Sequence, residues 1–233
     1  DGIGIGLEAF AHRPPQSFLV MGEAGVGKSA LIQALCARLQ DQGWTLFQAS
    51  AADVIAGQTF IGELEKRMRE LIEHLDVRKR ILWTVPNFHE LYYAGRHRYS
   101  PSGVLDLLLP AIESGQLCII GEVQPQALER ILQQRPRMRQ VLRVLAVEPL
   151  PSEETIELGA ALIERDFASA GITADAAVLR EAAELARHYL SSRAQPGNLL
   201  GLLRETRARL LQRNAGERKL TRDALLVTLA QLT

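Results

Sequence analysis

The chemistry in this sequence is concentrated in one run, Gly22-Glu23-Ala24-Gly25-Val26-Gly27-Lys28-Ser29, continued by Ala30. It satisfies the pattern G-x-x-x-x-G-K-S/T without a mismatch. Glycines let a backbone curl until successive N–H groups point at phosphate oxygens. The Lys28 ammonium would reach the terminal phosphates, and the Ser29 hydroxyl would be a ligand of Mg2+. A helix opening at Ser29 adds the positive end of its dipole. The expected ligand is ATP or ADP with Mg2+.

Such a loop needs an apolar strand before it and an amphipathic helix after it. Phe18–Met21 reads as the strand, and 29–40 as the helix. Further apolar runs at 45–49, 80–85, 117–120 and 141–147 read as strands. Helical patterns at 60–74, 105–113 and 126–134 separate them. Strands alternating with helices predict an α/β fold, a parallel sheet covered by helices on both faces. After Glu148-Pro149-Leu150-Pro151 only helical periodicity is found, opened by Ser152 and closed by a short helix beginning near Thr221 and Asp223. Two domains are therefore expected, a P-loop α/β nucleotide-binding domain over 1–150 and a small all-helical lid over 151–233. The opening Asp1-Gly2-Ile3-Gly4-Ile5-Gly6 has alternating glycines and no strand before it, and it reads as a flexible entry segment.

Bulk composition narrows the classes. The 233 residues carry 27 basic and 27 acidic side chains, without the basic excess that marks a nucleic-acid binder. Cys36 and Cys118 lie in apolar segments without C-x-x-C spacing. They read as packing residues in a reducing, cytoplasmic setting, rather than as a disulfide or zinc site. No apolar run approaches the ~18 residues of a membrane span. His12, His74, His97 and His188 are scattered. With neither a signal peptide nor an initiator Met, the chain reads as part of a longer protein.

Beyond the phosphate loop, the chain resembles the first AAA+ ATPase module of the Clp-type unfoldases and disaggregases. AGQTFIGELEKR (56–67) is similar to that family's AG-x-x-Y-x-G-E-F-E-x-R, and LLLPAIESGQL (107–117) to its L-x-P-x-L-x-x-G-x-L. IIGEVQPQALER (119–130) stands in place of its IGATT-x-x-EY, and VEPLPSEET (147–155) matches V-x-EP-x-x-x-x-T. ARHYLSSRAQPGNLL (186–200) is similar to SxRYIxDRxLPDKAI. The resemblance implies a homo-oligomeric ring, a hexamer, acting on a protein client. It places the nucleotide between the two domains, with Pro196 and Leu200 near the base, and Phe60 where the family grips substrate with a tyrosine. Arg96-His97-Arg98-Tyr99 falls near the family's second pore loop, though a solvated loop fits as well.

The departures are as informative. The family's third strand ends ILFIDEIH, whose Asp orders the magnesium shell and whose Glu polarises the attacking water (the Walker B motif). Here the segment is Ile81-Leu82-Trp83-Thr84-Val85-Pro86-Asn87-Phe88-His89-Glu90. Pro86 stands for the Asp and Asn87 for the Glu; Glu90 lies three positions too far, and His89 is a weak substitute. The first-sensor threonines fall on Val123 and Gln124, of which Gln124 still bears a polar group for a γ-phosphate. The paired arginine fingers fall on Arg139 and Gln140, with Arg135, Arg137 and Arg143 close enough to shift the register. The expectation is a module that binds ATP and hydrolyses it weakly or not at all, in a remodelling assembly whose hydrolysis a second module could supply. Alternatives are a nucleotide-dependent scaffold or sensor that threads nothing, and an active ATPase using unusual residues.

Overall fold

The computed structural model describes residues 2–57, 61–96, 102–212 and 218–233. Contacts divide the chain into two compact units. The first comprises Asp1–Gly22 with Lys28–Val147, the second Glu23–Gly27 with Glu148–Thr233.

The first unit is built on five parallel strands, β1 (Ser17–Met21), β2 (Thr45–Gln48), β3 (Ile81–Val85), β4 (Ile119–Val123) and β5 (Leu142–Ala146), in the order β2-β3-β4-β1-β5. Side chains alternate across a strand, and this sheet is apolar on both faces. Leu19, Trp83, Val85, Ile119 and Val123 enter one core, and Phe18, Val20, Leu82, Cys118 and Ile120 the other. The first core is covered by α3 (Ala51–Ile55), α4 (Ile61–His74), α5 (Glu90–Tyr93), α6 (Val104–Glu113), α7 (Pro125–Gln134) and α8 (Met138–Val141), through Val54, Met68, Leu91, Leu108, Ile131 and Met138. The second is covered by α2 (Lys28–Asp41), through Leu35 and Leu39. Both cysteines lie on this second side, and burial pushes the Cys36 thiol up to about 11 and that of Cys118 to about 12.

The glycine-rich opening is not a flexible segment. It forms α1 (Gly2–Ala11), with Ala9 and Phe10 buried against the α2 side of the sheet. Three glycines in a short helix are unfavourable by about 1 kcal/mol each, and packing reverses the preference. A Cβ on Gly6 would stand 2.6 Å from Leu35 Cδ2, so an alanine here would force the Leu35 side chain to shift.

The second unit contains α9 (Ser152–Leu162), α10 (Ala176–Tyr189), α11 (Gly197–Leu211) and α12 (Arg222–Leu232) around Phe167, Leu179, Leu199, Leu203 and Leu225. Thr221 caps α12 by accepting the Ala224 N–H at 3.3 Å. The unit is not wholly helical. β6 (Thr173–Ala174) pairs in parallel with β7 (Lys219–Leu220). Two residues per strand are too few to leave a period-2 pattern in a sequence.

Candidate nucleotide-binding site

The loop after β1 turns through two glycines at positive φ, Gly25 at 95° and Gly27 at 98°. At Gly25 any side chain is excluded twice, by this left-handed backbone and by the Ala194 carbonyl oxygen 2.7 Å from an added Cβ. Gly22 leaves β1 by donating its N–H to Val123 O at 3.1 Å. Lys28, in the first turn of α2, is buried, and its Nζ donates to Gly22 O at 3.0 Å. The ammonium is therefore folded back over the loop rather than extended into solvent. Within the second unit, Ala194 N–H donates to Ala24 O at 2.7 Å and Gly197 N–H to Gly25 O at 2.9 Å. These bonds engage carbonyls of the loop, whereas a phosphate is held by amides. Pro196 precedes α11 and is buried, and the N–H of half-buried Leu200 donates to its carbonyl at 3.0 Å. Glu23 is exposed, Val26 is buried, and Ala30 lies exposed beside Ser29 on α2.

Ser29 has an acidic partner that sequence reading missed. Its hydroxyl lies 2.9 Å from Glu122 Oε2 and 3.1 Å from Oε1. The sheet explains how. Val85, the last paired residue of β3, pairs with Gly121, and Val20 with Glu122, so Pro86 and Glu122 are the next residues along two neighbouring strands. Thr84, Pro86, Ile120 and Glu122 all line one cavity of about 560 Å³, which also touches Ser29 and Cys36. The end of β4 is fixed from both sides. Phe88 N–H donates to Glu122 O at 2.9 Å, and Gly22 N–H to the next carbonyl.

The other expected catalytic positions are dispersed. Asn87 sits in a turn at φ 27°, a region that asparagine tolerates better than most residues, and its Nδ2 donates to Glu90 Oε1 at 3.0 Å. Glu90 is thus committed to this turn. His89 Nδ1 is buried without a hydrogen-bond partner. Gln124 is exposed at the end of β4 and precedes α7, while Val123 is buried in the core. Phe60 and residues 97–99 lie outside the described residues.

The AAA ATPase domain family matches residues 7–221. The chain belongs to this family. Among curated relatives it is 29% identical over 212 residues to Chaperone protein ClpB 2 of Parasynechococcus marenigrum, covering 88% of this chain and 23% of that one. It is 26% identical to Chaperone protein ClpC2, chloroplastic, of Arabidopsis thaliana (90% and 23%) and 25% identical to Heat shock protein 104 of Schizosaccharomyces pombe (89% and 24%). The chain thus spans about a quarter of the length of these relatives. Among solved structures, the extended conformation of an S. cerevisiae Hsp104:casein complex superposes with a TM-score of 0.80 at 24% identity, over 99% of this chain and 41% of that one. A closed state of Hsp104 with ATPγS and FITC casein gives the same TM-score. The fold is that of an AAA+ module, and AAA ATPase membership implies nucleotide binding. No described helix is long and apolar enough to cross a membrane.

In this AAA module the arginines near the finger position divide by partner. Arg139 lies exposed on α8 (Met138–Val141), as do Arg137 before it and Arg143 on β5. Arg135 is engaged, its Nε donating to Asp106 Oδ1 at 2.7 Å, while Arg96 Nη2 donates to Asp106 Oδ2 at 2.8 Å. Burial pushes the Asp106 carboxyl up, but the Gly103 N–H and the two guanidiniums outweigh it and hold the group below the usual carboxylate range. A carboxylate depressed in the native state stabilises the fold above its unfolded value, near pH 4, and that contribution disappears as pH falls through the native value. Urea midpoints of the wild type should therefore drop as pH falls below about 4. Asp106→Asn should be less stable at pH 7 and should lose less on acidification. Parallel pH profiles for the two proteins would refute this role.

Proposed function

We propose that this chain is the ATP-binding AAA+ module of a Clp-like protein-remodelling assembly, and that it holds MgATP while hydrolysing it weakly or not at all. One observation carries the reading: a complete phosphate loop with a buried lysine occurs in a chain whose β3 is followed by Pro86-Asn87 in place of two acids. Residues 1–150 would serve as the nucleotide-binding domain and 151–233 as its lid. Gly22 to Ala30 would hold the phosphates, Ser29 would hold Mg2+, and Pro196 and Leu200 would border the base. Arg139 would face the nucleotide of a neighbouring subunit in a hexameric ring, Gln124 would sense the γ-phosphate, and Phe60 would touch a protein client. Bound nucleotide would then act chiefly to hold the ring together.

Lys28→Ala tests the core of this reading. A charge-assisted contact to phosphate is worth about 1.5–3 kcal/mol, so ATP and ADP should bind about tenfold or more weakly. Equal affinities by calorimetry would remove the loop as a working site. The missing acidic pair also suits a scaffold or sensor that recruits a partner without threading substrate. Phe60→Ala separates the two. It should impair client handling in a remodeler, with nucleotide binding unchanged, and should be silent in a scaffold.

A further inference from the structure

The acid that orders magnesium is missing from β3 but not from the site. We propose that Glu122 on β4 has taken over this positioning role, so that the module keeps magnesium-dependent nucleotide binding while lacking the water-activating residue. The inference rests on the phosphate-loop reading above.

The argument starts from the sheet. Adjacent strands lie about 4.8 Å apart, and residues level with each other point to the same face. Pro86 and Glu122 follow the Val85–Gly121 pair on neighbouring strands, and both line the cavity on the α2 side. An acid at 86 and an acid at 122 would therefore approach Ser29 from neighbouring strands. Glutamate is one methylene longer than aspartate, which helps it to span the sideways step. The step is completed, because both carboxylate oxygens lie within 3.1 Å of the Ser29 hydroxyl. Phe88 and Gly22 pin the backbone on which Glu122 stands.

The donor chemistry fits the ion. Magnesium takes hard oxygen ligands, commonly one or two carboxylates together with substrate phosphates and water. A serine hydroxyl has one proton and two lone pairs. Donating the proton to Glu122 orients the lone pairs away from the carboxylate and leaves them for a cation. The carboxylate adds a negative charge close to that cation without having to ligate it. Groups that orient a metal ligand in this way typically affect metal affinity by 10–100-fold.

The test compares affinity for the slowly hydrolysed analogue AMP-PNP in excess magnesium and in EDTA, by calorimetry on the purified protein. It reads binding and needs no turnover. Wild type should bind more tightly with magnesium, and Glu122→Gln should reduce that tightening about tenfold or more while leaving affinity in EDTA unchanged. Pro86→Asp in the Glu122→Gln background returns the acid to β3 and should restore the tightening. Mn2+ binding to the AMP-PNP complex, followed by electron paramagnetic resonance, should fall and recover in the same order. Unchanged magnesium dependence in Glu122→Gln overturns the proposal. So does stronger dependence, which would make Glu122 a plug on Ser29. A wild type that binds AMP-PNP in neither condition overturns the phosphate-loop reading and this inference with it. Binding in EDTA alone, abolished by Lys28→Ala, keeps the loop and overturns only the role of Glu122. Thermal melts of each variant separate these outcomes from loss of fold.

Discussion

At saturating ATP and magnesium, the wild-type chain is expected to turn over ATP near the background rate, and Asn87→Glu is expected to raise that rate about 10²-fold. A positioned general base contributes roughly 10²–10⁴-fold. Asn87 can hydrogen-bond a water but cannot take its proton near neutral pH. The gain should sit at the low end of the range for two structural reasons. Asn87 occupies φ 27°, where a glutamate is less at ease by about 1–2 kcal/mol. Its side chain also donates to Glu90, so a glutamate there would meet a like charge. Adding Glu90→Gln should raise turnover further. If Glu122 supplies the magnesium-side acid, Pro86→Asp alone should add little, whereas paired with Asn87→Glu it should do no better than Asn87→Glu by itself. An arginine finger can add about 10³–10⁵-fold, and the finger proposed at Arg139 acts across a subunit boundary. The assay must therefore include concentrations that permit assembly, with Arg139→Ala as the control. Brisk hydrolysis by the unmodified chain, abolished by Lys28→Ala, would show that another residue activates water and that the weak-ATPase reading is wrong.

What the sequence disclosed depended on how local each feature is. The phosphate loop is contiguous, so its glycines, Lys28 and Ser29 can be read without any knowledge of the fold. The alternation of apolar runs and helices was enough for a parallel sheet, because strands buried on both faces read as short apolar blocks. The α1 helix was hidden, since its glycines argue against a helix until Leu35 is known to pack against Gly6. The β6–β7 pair was hidden for the opposite reason, being too short to show a period. Glu122 was hidden by topology. By resemblance the acid is expected on β3, and the pairing of β3 with β4 that brings Pro86 and Glu122 to one cavity is not written in either segment. The available signal was local and small, a lone charge within the apolar run Ile119-Ile120-Gly121-Glu122-Val123. Likewise, the resemblance places the finger on Arg139 with Arg135 close enough to shift the register, and only the contact with Asp106 shows that Arg135 is occupied.

Trp83 fills the core on the face of β3 opposite the site, and its truncation should have the largest effect on stability. Trp83 is fully buried, opposite Ile119 on β4 and Phe47 on β2. Its Nε1 donates to Ala49 O at 3.0 Å, tying β3 to the chain leaving β2. Trp83→Ala removes the largest side chain of this core and should cost about 3–5 kcal/mol. A typical domain has only about 5–15 kcal/mol in total, so the variant would be partly unfolded under mild conditions. Trp83→Phe separates packing from hydrogen bonding. It keeps most of the volume but leaves the Ala49 carbonyl without its donor, a loss of about 1–3 kcal/mol. Urea unfolding should show lower midpoints for both, with the slope unchanged for Trp83→Phe. Trp83→Phe should also keep the AMP-PNP affinity of the wild type in excess magnesium, since the strand pairing survives. If Trp83→Ala instead melts like the wild type, the core beneath β3 is not packed as described.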